Sequence, residues 1–392
     1  MNKAAVRVLL VYGYEPSGHA AAAFSLEEAG RRAGLLVSRV EIAGDHHPAA
    51  GLAVARGYHG LLRACPGAWG ALYRSDWARQ ALRGVRGAYL ALGGAQGLRA
   101  GVRRAGADLV VCPQAAVAAV LCEARKRGEL DVPVVSVLTD YGAHPFWADP
   151  PADLLFAPSR SAAAELASFG VPCERVRVAG LPIHPGFASP PSRAESRRAL
   201  ALPPSAPVIL VSGGSKGLGG LDQTAVELLR ACPRAVVLAL CGVNDRLRRA
   251  LSSRRETGAR LRVFGPQPPA MVAALLAAAD LHAGKPGGLT SAESLAVGTP
   301  MVLSRPLPGQ EEANARHLLA AGAAAAGGSP AETARRCEEI LEDRGRLAVL
   351  ASNALRAGRP RAAEKIAAEL AAFARGGTIL KDSRIDYSSV DV

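Results

Sequence analysis

The residues between Ala283 and Gln310 bring glycines, a helix signal and a carboxylate into one short stretch. Lys285-Pro-Gly-Gly288 comes first, and a periodic apolar pattern then predicts a helix that opens at Thr290. Glycines let a ligand approach the backbone closely, and the free N–H groups of a helix N-terminus bind anions such as phosphate. Glu293 falls one turn further on, where its carboxylate can accept hydrogen bonds from sugar hydroxyls. The spacing therefore predicts a nucleotide-sugar site.

A second polar turn follows the apolar strand Pro300–Ser304 and ends in Gln310 and Glu311. This amide and carboxylate pair adds further ligands for hydroxyl groups. Each part of the pattern also has a structural explanation, because Gly-Gly often forms a simple turn and Thr-x-x-Glu is a capping box. Both interpretations stay open for the single motifs, and only their combination and order favour a ligand site.

A histidine, His19, lies at the start of the first predicted helix. The chain begins with an apolar strand over 6–12, a glycine-bearing loop over 13–18, a helix, and a second strand over 35–42. This alternation is typical of a doubly wound α/β sheet, which binds ligands at the carboxyl ends of its strands. A helix N-terminus disfavours the imidazolium form, so His19 is the first candidate for a general base. The alternative role is a helix cap.

A further strand, over 132–138, ends in a second set of polar residues. Thr139 and Asp140 follow it directly, and His144 comes next, before Pro145. Asp140 is the second candidate for the general base. His144 is a candidate for contact with an acceptor molecule or an anionic headgroup, and the alternative is a structural role in its loop.

Composition shifts divide the chain into two halves. A segment rich in proline, serine and arginine interrupts the alternation of strands and helices, and a strand at Val208–Ser212 restarts it before the loop Gly213–Gly217. We therefore expect two doubly wound, Rossmann-like domains that face a cleft, with a final helix packing back on the first domain and a disordered tail. The predicted bounds are 1–188, 189–207 for the linker, 208–373, and 374–392 for the tail.

The composition is that of a soluble globular protein, with 49% apolar and 21% charged residues in 392. No run of 18 apolar residues predicts a transmembrane helix, and the N-terminus lacks a signal-peptide pattern, so we expect a cytoplasmic protein. Seven cysteines without a C-x-x-C pair predict reduced thiols. No acidic D-x-D motif or metal-ligand spacing is present, so neither a metal nor a cofactor is expected.

A basic and aromatic segment lies in the first half. Nine arginines and one acid occur between positions 54 and 104 of a chain whose net charge is +13. Trp69, Tyr73 and Trp77 recur at helical spacing on one stripe, and Arg74 flanks them. An amphipathic helix of this kind binds membrane interfaces, so the segment predicts contact with anionic lipids. A helix packed on the domain core is the alternative, and Asp76 within the stripe weakens the membrane interpretation.

The chain resembles the diacylglycerol glycosyltransferases, the monogalactosyl- and monoglucosyldiacylglycerol synthases of glycosyltransferase family 28 type with the GT-B fold. The resemblance covers residues 6 to about 373 and rests on five motifs: Ser17-Gly-His-x-x-x-Ala, Thr139-Asp140 with His144 and Trp147, Gly180-Leu-Pro-Ile with Pro185, Lys285-Pro-Gly-Gly-x-Thr-x-x-Glu293, and Pro308-Gly-Gln-Glu-x-x-Asn314. The last two motifs together are specific. Glu15 and Pro16 depart from the glycine-richer first loop of the family.

The resemblance implies an inverting transfer of a hexose from UDP-glucose or UDP-galactose to the hydroxyl of diacylglycerol, on the cytoplasmic face of a membrane. It implies that Glu293 binds the ribose, that Gln310 and Glu311 hold the sugar, and that Phe264 lies beside the uracil. The diphosphate contacts it implies are Lys285, Gly287, Gly288, Thr290, Gly213, Gly214 and Ser215. His19 is implied near the acceptor hydroxyl, with Asp140 as second candidate, and His144, Trp69, Tyr73, Trp77 and Arg74 near the acceptor and membrane.

Three other functions are considered. A related GT-B transferase would use UDP-N-acetylglucosamine and a polyprenyl-linked acceptor. A nucleotide-sugar epimerase would need no lipid and would leave the Trp69–Trp77 stripe without a use. A nucleic-acid-binding protein would use the basic segment, but the sequence contains no recognised nucleic-acid module. We therefore expect no nucleic-acid partner.

Overall fold

The computed structural model describes residues 5–42, 83–84, 86–87, 90 and 95–376. The chain divides into two compact units. Unit 1 comprises Met1–His184, Pro308–Gln310 and Arg361–Val392, and unit 2 comprises Pro185–Leu307 and Glu311–Pro360.

Unit 1 is built on a parallel sheet in the order β2-β1-β3-β4-β5-β6. Most of its strands are short apolar runs because a parallel sheet is covered on both faces, whereas the strand at one edge also carries Ser38, Arg39 and Glu41. They are β1 (Arg7–Tyr12), β2 (Leu36–Glu41), β3 (Leu109–Cys112), β4 (Val134–Val137), β5 (Leu154–Ala157) and β6 (Val176–Val178). The strands predicted over 6–12, 35–42 and 132–138 agree with β1, β2 and β4 to within one or two residues at their ends.

Helices cover both faces of this sheet. The described helices of unit 1 are α1 (Gly18–Arg32), α2 (Ala95–Ala105), α3 (Ala115–Lys126), α4 (Arg160–Ser168) and, from the end of the chain, α13 (Ala362–Ala374). Leu26 of α1 and Ile366 of α13 share one core cluster with Leu10 of β1. Leu121 of α3 and Leu166 of α4 lie in a second cluster. The last described helix therefore completes the core of unit 1.

Unit 2 has a second parallel sheet, in the order β12-β11-β10-β7-β8-β9. Its strands are β7 (Val208–Ser212), β8 (Val236–Leu240), β9 (Leu261–Phe264), β10 (Leu281–Gly284), β11 (Met301–Ser304) and β12 (Ala324–Gly328). The described helices are α5 (Arg193–Ala199), α6 (Leu221–Ala231), α7 (Asp245–Ser252), α8 (Pro269–Ala278), α9 (Gly288–Val297), α10 (Gln310–Ala320), α11 (Pro330–Glu342) and α12 (Arg344–Ala357).

Apolar residues of this sheet are buried on both faces. Ile209 and Val211 of β7 join a cluster with Leu228 of α6 and Ile340 of α11. Leu210 points the other way along the strand and is also buried. The predicted α/β class of doubly wound domains is confirmed.

The proline-rich segment 189–207, predicted as a linker, contains helix α5. Arg197 on this helix is 3% exposed, and its Nη2 donates to Asp280 Oδ2 at 2.8 Å. Its Nη1 donates to the carbonyl oxygens of Pro204 and Ala206 at 2.7 and 3.0 Å. A buried guanidinium needs such partners, and here they join the end of the segment to unit 2. This segment is therefore part of unit 2 in the structure.

Candidate active site

The order of strands in each sheet identifies where a ligand would bind. In unit 1 the chain reverses its direction of travel between β1 and β3, and in unit 2 it does so between β7 and β10. Doubly wound sheets bind ligands at the carboxyl ends of the strands at such a switch point. The loops after these four strands carry Gly13–His19, Pro113, Gly213–Gly217 and Lys285–Gly288.

The switch point of unit 1 holds His19. Ser17 caps helix α1 by accepting a hydrogen bond from Ala20 N at 3.1 Å, so His19 does not itself supply the cap. His19 Nδ1 lies 2.9 Å from the Pro113 carbonyl oxygen and 3.1 Å from Thr139 Oγ1. The loops after β3 and β4 thus meet at this ring, although Pro113 and Thr139 lie 94 and 120 residues from His19 in sequence.

These contacts determine the state of the imidazole. A carbonyl oxygen can only accept, so Nδ1 of His19 carries the proton and donates it to Pro113. Burial lowers the pKa of His19 below its ordinary value of 6.5, and this outweighs the opposing effects of Asp140 and of the Pro113 hydrogen bond. The ring is therefore neutral at pH 7, and within the described residues no group bonds its Nε2. An oriented, neutral ring of this kind can accept a proton.

Asp140 follows Thr139 directly and is close enough to His19 to influence its pKa. The structure thus brings both candidate bases to one place. His144 has a different environment. Its ring is 4% exposed, and its Nδ1 accepts a hydrogen bond from Phe146 N at 3.1 Å, which caps the short helix Pro145–Trp147. This capping role accounts for a buried ring, and contact of His144 with an acceptor stays a prediction.

The glycine loop of unit 2 follows β7. A Cβ atom at Gly213 would lie 2.2 Å from the Leu218 carbonyl oxygen, and one at Gly242 would lie 2.2 Å from the Ser215 carbonyl oxygen. Gly214 has a φ of 69°, which favours glycine. Ser215 is exposed. The loop is therefore compact by necessity, and it presents backbone and a hydroxyl at the carboxyl end of β7.

Helix α9 begins earlier than the sequence pattern predicts. It runs from Gly288 to Val297 with Gly287 as its N-cap, and no side chain caps it. Thr290 therefore lies inside the first turn, so the predicted opening at Thr290 is wrong and a Thr290–Glu293 capping box is excluded. The first N–H groups of the helix are left without intrahelical acceptors. They follow β10, the strand beside β7 in the sheet.

Glu293 is a partly buried carboxylate on α9. Among the residues that the structure describes, none donates a hydrogen bond or forms an ion pair with it. Burial raises its pKa from 4.5 to about 8. A buried acidic group is costly without partners, so this position favours a ligand that brings hydroxyl donors.

Lys285 and Glu311 form an ion pair in the same unit. Lys285 Nζ donates to Glu311 Oε1 at 2.6 Å, and Glu311 Oε2 accepts from Leu307 N at 2.9 Å. The side chain of Lys285 runs beside Gly214, with its Cε 3.6 Å from the position that a Cβ there would take. The ammonium group therefore lies beside the glycine loop, and Glu311 is held by two donors.

Gln310 and Phe264 are two further predicted donor contacts. Gln310 is partly buried at the start of α10, and Asn314 on that helix donates to the Pro286 carbonyl oxygen at 2.9 Å. Phe264 is partly buried at the end of β9, two strands from β7. The membrane-facing candidates Trp69, Tyr73, Arg74 and Trp77 lie outside the described residues and stay predictions.

The sequence analysis did not single out His282. It is the one polar side chain in strand β10, and it is 1% exposed. It lies between Ser212, which precedes the glycine loop, and Ser294, which follows Glu293. A histidine in an otherwise apolar strand was the available signal. Within the described part of the chain, no group of three or more His, Cys, Asp or Glu side chains could hold a metal ion.

Comparisons with known families agree with this two-unit division. Residues 19–183 match the monogalactosyldiacylglycerol (MGDG) synthase family, and residues 192–357 match the glycosyl transferases group 1 family. The resemblance to the diacylglycerol glycosyltransferases is confirmed. Both families are glycosyltransferases, which supports the prediction that this chain is an enzyme.

Curated relatives are named as diacylglycerol glucosyltransferases. The chain is 28% identical over 223 residues to the processive diacylglycerol beta-glucosyltransferase of Staphylococcus carnosus (strain TM300), covering 57% of this chain and 56% of the relative. The protein of the same name from Bacillus subtilis (strain 168) is 30% identical over 224 residues, with 57% and 56% covered. The chain thus spans little more than half the length of the curated relatives it matches.

Solved structures share the fold of this diacylglycerol glycosyltransferase-like chain. Acinetobacter baumannii MurG has a TM-score of 0.56 at 19% identity, covering 92% of this chain and 97% of that one. Anabaena HepE in complex with UDP-glucose has a TM-score of 0.56 at 16% identity, covering 94% and 99%. The fold is GT-B. Among the described helices, none has both the length and the apolar character that a membrane span needs.

Proposed function

We propose that this protein transfers a hexose from a UDP-sugar to the hydroxyl of diacylglycerol with inversion at the anomeric carbon. The observation that carries the proposal is the environment of Glu293, a carboxyl group without a protein partner among the described residues. It lies one turn inside a helix whose uncapped N-terminus follows the switch-point strand of unit 2. Anion donors and a hydroxyl acceptor at this spacing suit a nucleoside diphosphate.

In this proposal unit 2 binds the donor. The N–H groups of Gly288 and Thr290, after the Gly287 cap, bind the diphosphate together with the backbone of Gly213 and Gly214 and the hydroxyl of Ser215. Glu293 accepts hydrogen bonds from the ribose hydroxyls, and Phe264 lies beside the uracil. The partial positive charge of the helix N-terminus stabilises the negative charge that builds up as UDP leaves.

Lys285 and Glu311 exchange partners when the donor binds. The ammonium group of Lys285 already lies beside Gly214, so a diphosphate on the glycine loop competes with Glu311 for it. Release from Lys285 leaves one oxygen of Glu311 available to a hydroxyl of the sugar, and Gln310 supplies an amide for another. The ion pair thus keeps both groups in place before the donor arrives.

Unit 1 supplies the general base. Nε2 of His19 takes the proton of the acceptor hydroxyl as that oxygen forms a bond to the anomeric carbon, and the bond from this carbon to the β-phosphate oxygen breaks. The electron pair of the broken bond leaves with UDP, and the proton stays on His19. The Nδ1–H bond to Pro113 orients the ring for this step. Asp140 is close enough to stabilise the imidazolium that forms.

The acceptor is proposed from the names of the relatives, which act on diacylglycerol and are beta-glucosyltransferases. Glucose is accordingly the first candidate for the sugar, and galactose is the second. Access to diacylglycerol requires contact with a membrane surface. The aromatic stripe of Trp69, Tyr73 and Trp77, with Arg74 beside it, supplies this contact through anionic lipids. The protein would then act as a peripheral enzyme on the cytoplasmic face.

The deciding experiment incubates the protein with diacylglycerol vesicles that contain anionic lipid. UDP-glucose, UDP-galactose and UDP-N-acetylglucosamine are supplied in separate reactions, and mass spectrometry identifies the lipid product. We expect monohexosyldiacylglycerol from one of the first two donors. Transfer from UDP-N-acetylglucosamine to a polyprenyl-linked acceptor alone, or turnover of the nucleotide sugar without a lipid, would overturn the proposal.

A further inference from the structure

A buried hydrogen-bond network of Ser212, His282 and Ser294 lies next to the residues of the proposed donor site. His282 Nε2 is 2.8 Å from Ser212 Oγ, and His282 Nδ1 is 3.2 Å from Ser294 Oγ. All three side chains are at most 6% exposed. This hydrogen-bond network therefore connects strand β7, strand β10 and helix α9 inside unit 2.

The donor and the acceptor in each of these bonds follow from the hydrogen bond at the Ser294 end of the network. Ser294 donates its single hydroxyl proton to the Thr299 carbonyl oxygen at 2.7 Å. Its oxygen must then act as the acceptor towards His282, so Nδ1 of the ring carries the proton. Nε2 is left without one and accepts the hydroxyl proton of Ser212. Burial holds the pKa of His282 at about 4, so this neutral tautomer persists at neutral pH.

The network is adjacent in sequence to the residues that are proposed to bind the ligand. Ser212 is the last residue of β7 and is followed at once by Gly213 and Gly214. Ser294 is the next residue after Glu293 on α9. The histidine thus joins the strand end before the glycine loop to the helix turn that carries Glu293.

We infer that His282 is a positioning residue that holds the glycine loop after β7 and the Glu293 turn of α9 at the separation a nucleoside diphosphate requires. This inference rests on the proposed function, because it assumes that these two elements bind UDP. An imidazole suits the role since it can accept at one nitrogen and donate at the other with fixed geometry. An aliphatic residue in β10 would fill the volume and leave Ser212 without an acceptor.

The test measures UDP affinity by calorimetry together with thermal stability. His282→Leu fills the space and removes both bonds, and we expect UDP to bind roughly three- to tenfold more weakly, as for the loss of one or two buried hydrogen bonds. His282→Gln places an amide oxygen near the position of Nε2 and keeps an acceptor for Ser212. We expect this variant to recover most of the lost affinity.

The matched control is His317→Leu. His317 is a histidine of helix α10 in the same unit, and burial likewise lowers its pKa to about 4. We expect this variant to bind UDP as the wild type does, even if its melting temperature falls. Equal loss of affinity in the two leucine variants would mean that unit 2 responds to any buried change, and it would overturn the inference.

Ser212→Ala removes only the hydroxyl donor and decides the matter if His282→Leu fails to fold. We expect roughly threefold weaker UDP binding from it. If Ser212→Ala and every folded His282 variant bind UDP with wild-type affinity, the positioning role is wrong while the proposed function stands. If the wild type itself does not bind UDP, the donor site is wrong, and that result is distinct from the first.

Discussion

The two units share an architecture but carry different chemical groups at their switch points. In each unit the chain reverses at a switch point of a parallel sheet, where loops follow β1 and β3 in unit 1 and β7 and β10 in unit 2. At the switch point of unit 1 those loops hold a neutral imidazole, fixed by a carbonyl oxygen and a hydroxyl group. At that of unit 2 they present free N–H groups, an ammonium group and a carboxyl group.

This difference shows which part of a doubly wound domain carries its chemistry. The sheets provide only a place where loops converge, and the loop residues decide whether that place accepts a proton or binds an anion. A general base must be close to neutral at working pH, whereas a diphosphate site must be positive. If this comparison is correct, substitutions in unit 1 change turnover and substitutions in unit 2 change UDP affinity.

The largest effect is expected at His19. His19→Ala removes the proposed base, so turnover should fall by about 10²–10⁴-fold while the dissociation constant of UDP is unchanged. Initial rates with diacylglycerol vesicles and calorimetry with UDP measure the two quantities. His184→Ala is the matched control, because His184 is another histidine of unit 1 whose pKa is lowered by burial, and it should keep its activity. Wild-type turnover in His19→Ala would refute the assignment.

The next effect concerns Glu293. Glu293→Gln keeps the shape but loses the anionic acceptor for the ribose hydroxyls, so UDP should bind roughly ten- to thirtyfold more weakly. Hydroxyl donors favour the ionised carboxylate, so wild-type affinity should rise as the pH increases towards about 8 and level off above it, and the variant should lose this rise. Calorimetry over a pH series measures both effects.

A control for Glu293 is Glu227→Gln, which changes an outward-facing glutamate of the same unit that pairs with Arg230. It should leave UDP affinity and its pH dependence as they are. A wild-type protein whose UDP affinity is flat between pH 7 and about 8 would contradict the ribose role of Glu293.

A smaller effect is expected when the ion pair of unit 2 is neutralised. Lys285→Met together with Glu311→Gln removes both charges, which avoids leaving Glu311 as a buried carboxylate without its cation. UDP should bind roughly five- to tenfold more weakly, because the ammonium no longer meets the diphosphate. Uridine has no phosphate, so its affinity should not change. Equal losses for UDP and uridine would show that the pair only maintains the structure.

The smallest effect is a shift in the pH dependence of kcat/KM. The acid limb of kcat/KM should report His19 and should lie below pH 6.5, because burial lowers the pKa of this group. Asp140 opposes that shift, so Asp140→Asn should move the limb to still lower pH. Rates over a pH series measure it. If Asp140→Asn abolishes turnover at every pH and His19→Ala does not, Asp140 is the base and His19 is not.

Much of the fold could be predicted from the sequence. Most strands of the two sheets are apolar runs, and a glycine or proline follows most of them within a few residues, so their positions follow from local composition. Local composition did not predict where helix α9 begins. The sequence pattern pointed to Thr290, but Gly287 acts as N-cap without a side-chain hydrogen bond, which leaves no side-chain signal. The acceptor stripe around Trp69 remains a prediction from sequence.

The sequence by itself determined the residue types that could act and the ends of strands where they occur. Only the tertiary structure decided how they combine, because the decisive contacts join distant positions. His19 obtains its tautomer from Pro113, 94 residues away, and Arg197 finds Asp280 across 83 residues. The role of His282 depends on Ser212 in a neighbouring strand, 70 residues earlier. Local patterns report propensity and periodicity, whereas strand order sets which loops meet.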